Sequence, residues 1–158
     1  MKKFIIFIFI LIFFSCNSKY KYTTKLDMEI LKSIQEVKVE KLLSYFAEQV
    51  EFDYSQEAYT MFHRAKDSKE LLSGNISEYY RFLFELNPEL KEKSWLSFKE
   101  ALAIAYRIEA ENNEVNEDGT YFRNIHIYTD SNYNRITLKC IDENSCQIIS
   151  LLISASKL

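Results

Sequence analysis

Residues 36–54, "EVKVEKLLSYFAEQVEFDY", decide how the chain is built. Just upstream, Ile30, Leu31, Ile34 and Val37 recur at helical spacing and make one apolar stripe. Val39, Leu42, Leu43, Phe46 and Val50 make a second. At about 100° per residue the centres of the two stripes lie more than a third of a turn apart, so one straight helix would present two different faces. The spacing therefore predicts either a break near Val37–Val39 or two consecutive helices. "VEFDY", residues 50–54, then alternates like a short strand, for which "YTMFHRA" (59–65) offers a partner.

Further along, Asp67 with Glu70 and Asn75 with Glu78 have the spacing of capping boxes, and Gly74 between them suits a helix C-terminus. A helix over about 76–86 follows, stopped at Asn87-Pro88. Ser97 with Glu100 caps another. Its stripe of Phe98, Leu102, Ala105 and Ile108 predicts a helix across 97–112 that frays in "ENNEVNEDGT". Three strands complete the chain, at about 120–128, 135–141 and 146–154. Ile125 and Ile127 are expected to face Ile136 and Leu138 across the "TDSNYN" turn. The expected class is α+β, with N-terminal helices followed by a C-terminal antiparallel β-meander.

The last hairpin carries two of the three cysteines. Placing Cys140 opposite Cys146 sets Leu138 against Ile148 and Ile136 against Ser150, with both thiols on one face. A disulfide there would close a short loop and contribute roughly 2 kcal/mol; the alternative is two small buried thiols.

The third cysteine ends the leader. Lys2 and Lys3 form a basic head, Phe4–Phe14 is an unbroken apolar run, and "IFILIFFSCNSK" (8–19) turns polar at Ser15-Cys16. The run is shorter than the roughly 20 residues that a spanning helix needs and fits the core of a secretory signal. Phe13 at minus three, Ser15 at minus one and then Cys16 resemble the lipobox of bacterial lipoprotein precursors. That resemblance implies a diacylglycerol on the Cys16 sulfur, removal of residues 1–15 and acylation of the new amino group. One acyl chain holds a protein to a membrane only marginally, whereas two or more hold it durably. Asn17, rather than Asp, follows the cysteine; this favours the outer membrane if the cell has one. The organisation expected is residues 1–15 as signal, 16–25 as lipidated cysteine and polar tether, and 26–158 as one domain.

"EVKVEKLLSYFAEQVEFDY" and "SGNISEYYRFLFE" (73–85) also resemble the opening helices and third helix of NTF2-like (SnoaL-like) domains. The resemblance covers about residues 27–86. It implies a curved sheet and helices around a conical pocket, lined here by residues such as Tyr45, Phe52, Phe62 and Tyr80. The departure comes afterwards: with 97–112 helical, too few strands remain to build that sheet. The family hosts enzymes, ligand carriers and structural domains, so the fold alone names no activity.

Charge and chemistry narrow the rest. Without Lys2 and Lys3 there are 18 basic against 23 acidic side chains, a net of −5, with no basic cluster, so nucleic acid is not an expected partner. His63 and His126 are the only histidines. Either could act as a base if a carboxylate such as Asp53 oriented it, but both read better as partly exposed strand or loop residues. "DSNYN" (130–134) starts like an EF-hand loop, yet Arg135 stands where Gly is needed and Ile141 where a bidentate Glu is needed. "SASK" (154–157) matches a Ser-x-x-Lys spacing at a terminus, and chance explains it. No metal set, catalytic set or cofactor motif is expected. Eleven tyrosines suit a contact surface, although base composition alone can enrich them. The function expected is a lipid-anchored bacterial envelope lipoprotein, a binding or envelope-maintenance module rather than an enzyme, with no specific role named. The alternatives are an NTF2-like pocket protein for a small apolar ligand and a surface lipoprotein that binds a host or neighbouring protein.

Overall fold

A computed structural model describes residues 19–54, 59–64, 78–86, 88, 91 and 95–155, with the backbone alone at 54, 59–64, 78, 79, 82 and 155. In chain order the elements are β1 (Tyr20–Lys21), α1 (Lys25–Gln35), α2 (Val39–Leu43), β2 (Phe46–Tyr54) and β3 (Tyr59–Arg64). Then come α3 (Glu78–Phe84), α4 (Phe98–Ile104), β4 (Arg107–Val115), β5 (Tyr121–Tyr128), β6 (Asn132–Asp142) and β7 (Ser145–Ala155). The strands form one mixed sheet in the order β1-β4-β5-β6-β7-β2-β3. The β1–β4 and β2–β7 pairs are parallel and the others antiparallel. The class is α+β. No described helix is long and apolar enough to cross a membrane.

The break in the opening helices is built at Val37. The Lys38 amide donates to the Ser33 carbonyl and the Val37 amide to that of Ile34, closing α1 with a Schellman motif. Val37 takes the position where glycine is usual, at φ 55°. Its side chain packs against the core, which holds the strained conformation in place. At the other end, Thr24 and Asp27 form a reciprocal capping box.

Three expectations are corrected. The second stripe is not one helix to Val50: α2 stops at Leu43, and β2 starts at Phe46 rather than Val50. Phe46, Val50 and Phe52 stand an even number of residues apart, so strand alternation turns all three inward, and the four-residue step from Phe46 to Val50 fits a helix as well. The helix expected over 97–112 ends at Ile104. Ile108 and Ala110 turn inward from β4, whose outer half, Glu111–Val115, is exposed. Residues 20 and 21, expected in the tether, pair with Ile108 and Glu109 as β1. The proposed caps at Asp67/Glu70 and Asn75/Glu78 lie outside the described residues.

The terminal meander follows the expected register with one slip. Leu138 faces Ile148 and Cys140 faces Cys146, but Ile149 is an extra residue in β7, so Ile136 meets Leu151 rather than Ser150. Likewise Ile125 faces Ile136, while Ile127 faces Asn134. On the inner side of the sheet the core gathers Ile30 and Ile34 with Trp95, Phe98, Ile108, Ile125, Ile127, Ile136 and Leu138. Two fully buried asparagines seat the segment before α4: the Leu96 amide donates to Asn132 Oδ1 and Asn134 Nδ2 donates to the Leu96 carbonyl, both at 3.2 Å. Of the "DSNYN" stretch, Asp130 and Ser131 form the turn, closed by Thr129 and Asn132, and Asn132–Asn134 already belong to β6.

Ser97 caps α4: its hydroxyl accepts from the Glu100 amide at 3.2 Å, and Glu100 returns a bond to the Ser97 amide at 3.0 Å. Ser97 is itself fully buried, within 3.3 Å of the Phe84 carbonyl at the end of α3. Ser97→Ala is expected to cost about 1–2 kcal/mol, the upper part of the range for a lost cap. The check is a lower denaturant midpoint at unchanged slope.

Candidate functional site

One described opening is built where three turns meet. The β6–β7 hairpin supplies Lys139, Ile141, Asn144, Ser145, Cys146 and Gln147; the β4–β5 turn supplies Thr120; Leu26 on α1 and Ser44–Tyr45 after α2 close the remaining side. Together they bound an open groove of about 680 Å³.

Each wall is held from behind. Cys140 and Cys146 are disulfide-bonded, joining the strands just before the turn. Asp142 accepts from the Asn144 amide at 2.8 Å and from the Ser145 hydroxyl at 3.0 Å. The Asn144 amide and Ser145 hydroxyl hold the Asp142 carboxyl below its ordinary range. Asp118 accepts from the Thr120 amide and hydroxyl at 2.9 and 2.6 Å, and Lys139 stands 3.6 Å from its other oxygen. Across the groove the Tyr45 hydroxyl donates to Glu29 at 3.0 Å, with Lys41 at 3.4 Å from the same oxygen. Burial, then the Glu29 carboxylate, raises the Tyr45 hydroxyl, so it stays protonated and donating throughout the neutral range.

Chemically the groove offers hydroxyls, side-chain amides and one ammonium between two apolar flanks, Leu26 and Ile141. Three of its hydroxyls already donate to carboxylates: Thr120 to Asp118, Ser145 to Asp142 and Tyr45 to Glu29. Such a surface can hold a polar ligand through its hydroxyl oxygens, side-chain amides and ammonium. Among the described residues no group of three or more His, Cys, Asp or Glu converges as a metal would require.

Of the four residues expected to line an internal pocket, Tyr45 alone lines the groove. Phe52 is 1% exposed within the core, and Tyr80 lies edge-on to Phe84 on α3 with ring centres 5.0 Å apart. The Phe62 side chain is outside the described residues, as is that of His63. On the described inner side of the sheet Trp95, Phe98 and the isoleucines are buried in one core cluster.

His126 differs from expectation. It is buried on the outer face of the sheet, not partly exposed, and its partner is not Asp53. Nε2 lies 2.9 Å from Glu111 and Nδ1 2.6 Å from the Tyr133 hydroxyl. In the Nε2–H tautomer the ring donates to Glu111 and accepts from Tyr133. Tyr128 and Tyr133 stack beside the ring, and the Arg107 guanidinium covers Tyr128 at 4.1 Å. Burial raises the Tyr133 hydroxyl above its ordinary value, opposite to what a nucleophile needs. The cluster knits β4, β5 and β6 together. Sequence reasoning missed Glu111 because β4 was hidden inside a helical pattern; the alternation of Ile108 and Ala110 with Glu109 and Glu111 was the available signal.

Comparison with solved structures finds proteins of related layout. A DUF4783 family protein from Bacteroides ovatus has 9% identity over 82% of this chain and 94% of its own, with a TM-score of 0.40. Rd1NTF2_05 with long sheet has 14% identity over 81% and 91%, at 0.42. A Nostoc punctiforme protein of unknown function with a cystatin-like fold has 13% over 85% and 94%, at 0.35. No family model and no curated protein matches the sequence. Likeness at this level is to an arrangement of helices on a sheet, and no activity comes with it.

Proposed function

We propose that the chain is a bacterial envelope lipoprotein: an α+β domain resembling the NTF2-like group, held at a membrane by acyl chains on Cys16 and serving as a binding module rather than an enzyme. The observation that carries this reading is the leader itself, in which Lys2-Lys3, the apolar run Phe4–Phe14 and Ser15-Cys16 occur in the order and spacing of a lipobox signal. The binding half of the reading rests on the groove, where hydroxyls, side-chain amides and the Lys139 ammonium from separate turns converge on one opening. Thr120, Lys139, Asn144, Ser145 and Gln147 would contact the ligand.

The test is metabolic labelling with a tagged fatty acid, followed by membrane fractionation. The wild type is expected to take up label and pellet with membranes, while Cys16→Ala takes up none and keeps its leader. Equal labelling of the two would remove the reading.

A further inference from the structure

The fold leaves almost no tether between the anchor and the sheet. The Lys19 carbonyl accepts from the Ile108 amide at 2.7 Å, and its ammonium donates to the Leu102 carbonyl at 2.9 Å. Tyr20 then pairs with Ile108. Only Asn17 and Ser18 separate Cys16 from this fixed point, and three fully extended steps reach about 10 Å. A lipidated sulfur at Cys16 therefore brings the Lys19 corner of the domain to the membrane, while flexible linkers of ten residues or more would leave the domain free to turn.

That corner carries exposed apolar side chains. Ile104 ends α4 two residues after Leu102 and is 62% exposed; Tyr106 opens the approach to β4 and is 51% exposed. The Tyr106 ring leans on Tyr128, with centres 6.5 Å apart, leaving the outer side of that ring bare. An aliphatic tip beside a tyrosine suits the boundary between head groups and acyl chains, where tyrosine places its ring in the apolar layer and its hydroxyl in the wet one.

We propose, building on the anchor at Cys16, that the turn between α4 and β4 lies against the bilayer, with Ile104 and Tyr106 entering the head-group boundary. The groove then faces away. The register Ile108–Ile127–Asn134–Ile153 marks the membrane end of the sheet, and Val115–Tyr121–Cys140–Cys146 marks the other end, seven residues along β4. At about 3.3 Å per residue this separates the two ends by roughly 23 Å. The lipid fixes not only where the domain stays but also which end it presents.

Brominated acyl chains test this, since they quench tryptophan only at close range. Lipidated I104W and I141W proteins are reconstituted into phosphatidylcholine vesicles with or without bromine on the acyl chains. The wild type, whose single Trp95 is buried, provides the background. Ile141, 74% exposed on the β6–β7 hairpin, reports the far end. The expected result is several-fold stronger quenching at position 104 than at 141. Equal quenching, or stronger quenching at 141, in vesicle-bound protein of acylated mass overturns the orientation and leaves the anchor standing. A mass showing unmodified Cys16 overturns the anchor reading and this inference with it.

Discussion

Asp27→Ala is expected to destabilise the domain by about 3–5 kcal/mol, the cost of leaving one member of a buried ion pair without its partner. Asp27 is fully buried in the first turn of α1, and Arg123 is 5% exposed in the middle of the sheet. The Arg123 Nε donates to both Asp27 oxygens, at 3.1 and 3.0 Å, and a second guanidinium nitrogen reaches the carboxylate at 2.6 Å. The same guanidinium binds the Tyr22 carbonyl at 2.7 Å and the Asn112 side chain, while Asp27 also accepts from the Thr24 amide. One pair thus joins β1, the start of α1, β4 and β5. Removing the carboxylate strands a guanidinium and an amide together. Against a total stability of about 5–15 kcal/mol such a loss is visible in any denaturant titration. The double variant Asp27→Leu/Arg123→Met is expected to recover much of it, since apolar replacement of a whole buried pair is often neutral. An exposed pair such as Lys32–Glu36, at 3.7 Å, contributes little, because water and salt screen it. If Asp27→Ala costs as little, the pair does not tie the helix to the sheet.

The Asp27–Arg123 pair also shows where sequence reading stops. Its members stand 96 residues apart, and nothing local to either marks the other. What was legible was local and periodic. The α1–α2 break followed from two stripes that no single helix could share, and the Ser97–Glu100 box from its spacing. The last three strands followed from alternation, and the facing of Cys140 and Cys146 from a four-residue turn. Helix and strand were confused where both periods fit the same residues. Phe98, Leu102, Ala105 and Ile108 satisfy a helix, yet Ala105 ends α4 in extended conformation and Ile108 belongs to the next strand. Phe46 and Val50 match a helix because a step of four returns to the same face of a strand as well as of a helix. The groove was illegible for a different reason. Leu26, Tyr45, Thr120 and Asn144 come from separate turns, and only the closed sheet places them around one opening.

Reading β4 correctly changes what the NTF2-like resemblance implied. The strand missing from the sequence pattern exists, so the sheet has the length whose absence cast doubt on the pocket. The described inner face is nevertheless occupied by Trp95, Phe98 and Phe52. The long sheet and these buried rings belong to one core shared by helices and strands. Polar opportunity lies at the sheet's end and outer face instead.

Two apolar residues of α4 separate folding from surface contact. Phe98 is fully buried and Ile104, six residues on, is 62% exposed. Phe98→Ala is expected to cost about 3–5 kcal/mol through lost transfer energy and the cavity left behind. Phe98→Leu keeps most of the volume and is expected to cost under about 1.5 kcal/mol. Ile104→Ala should stay within about 0.5 kcal/mol of the wild type, as substitutions at exposed positions do. Chemical denaturation of the three variants decides the matter. Equal losses at 98 and 104 would mean that α4 does not present one side to the sheet, and would remove Ile104 from the free surface. A large loss at 98 beside a silent change at 104 would show that α4 holds the fold through its buried side and leaves Ile104 free on the surface.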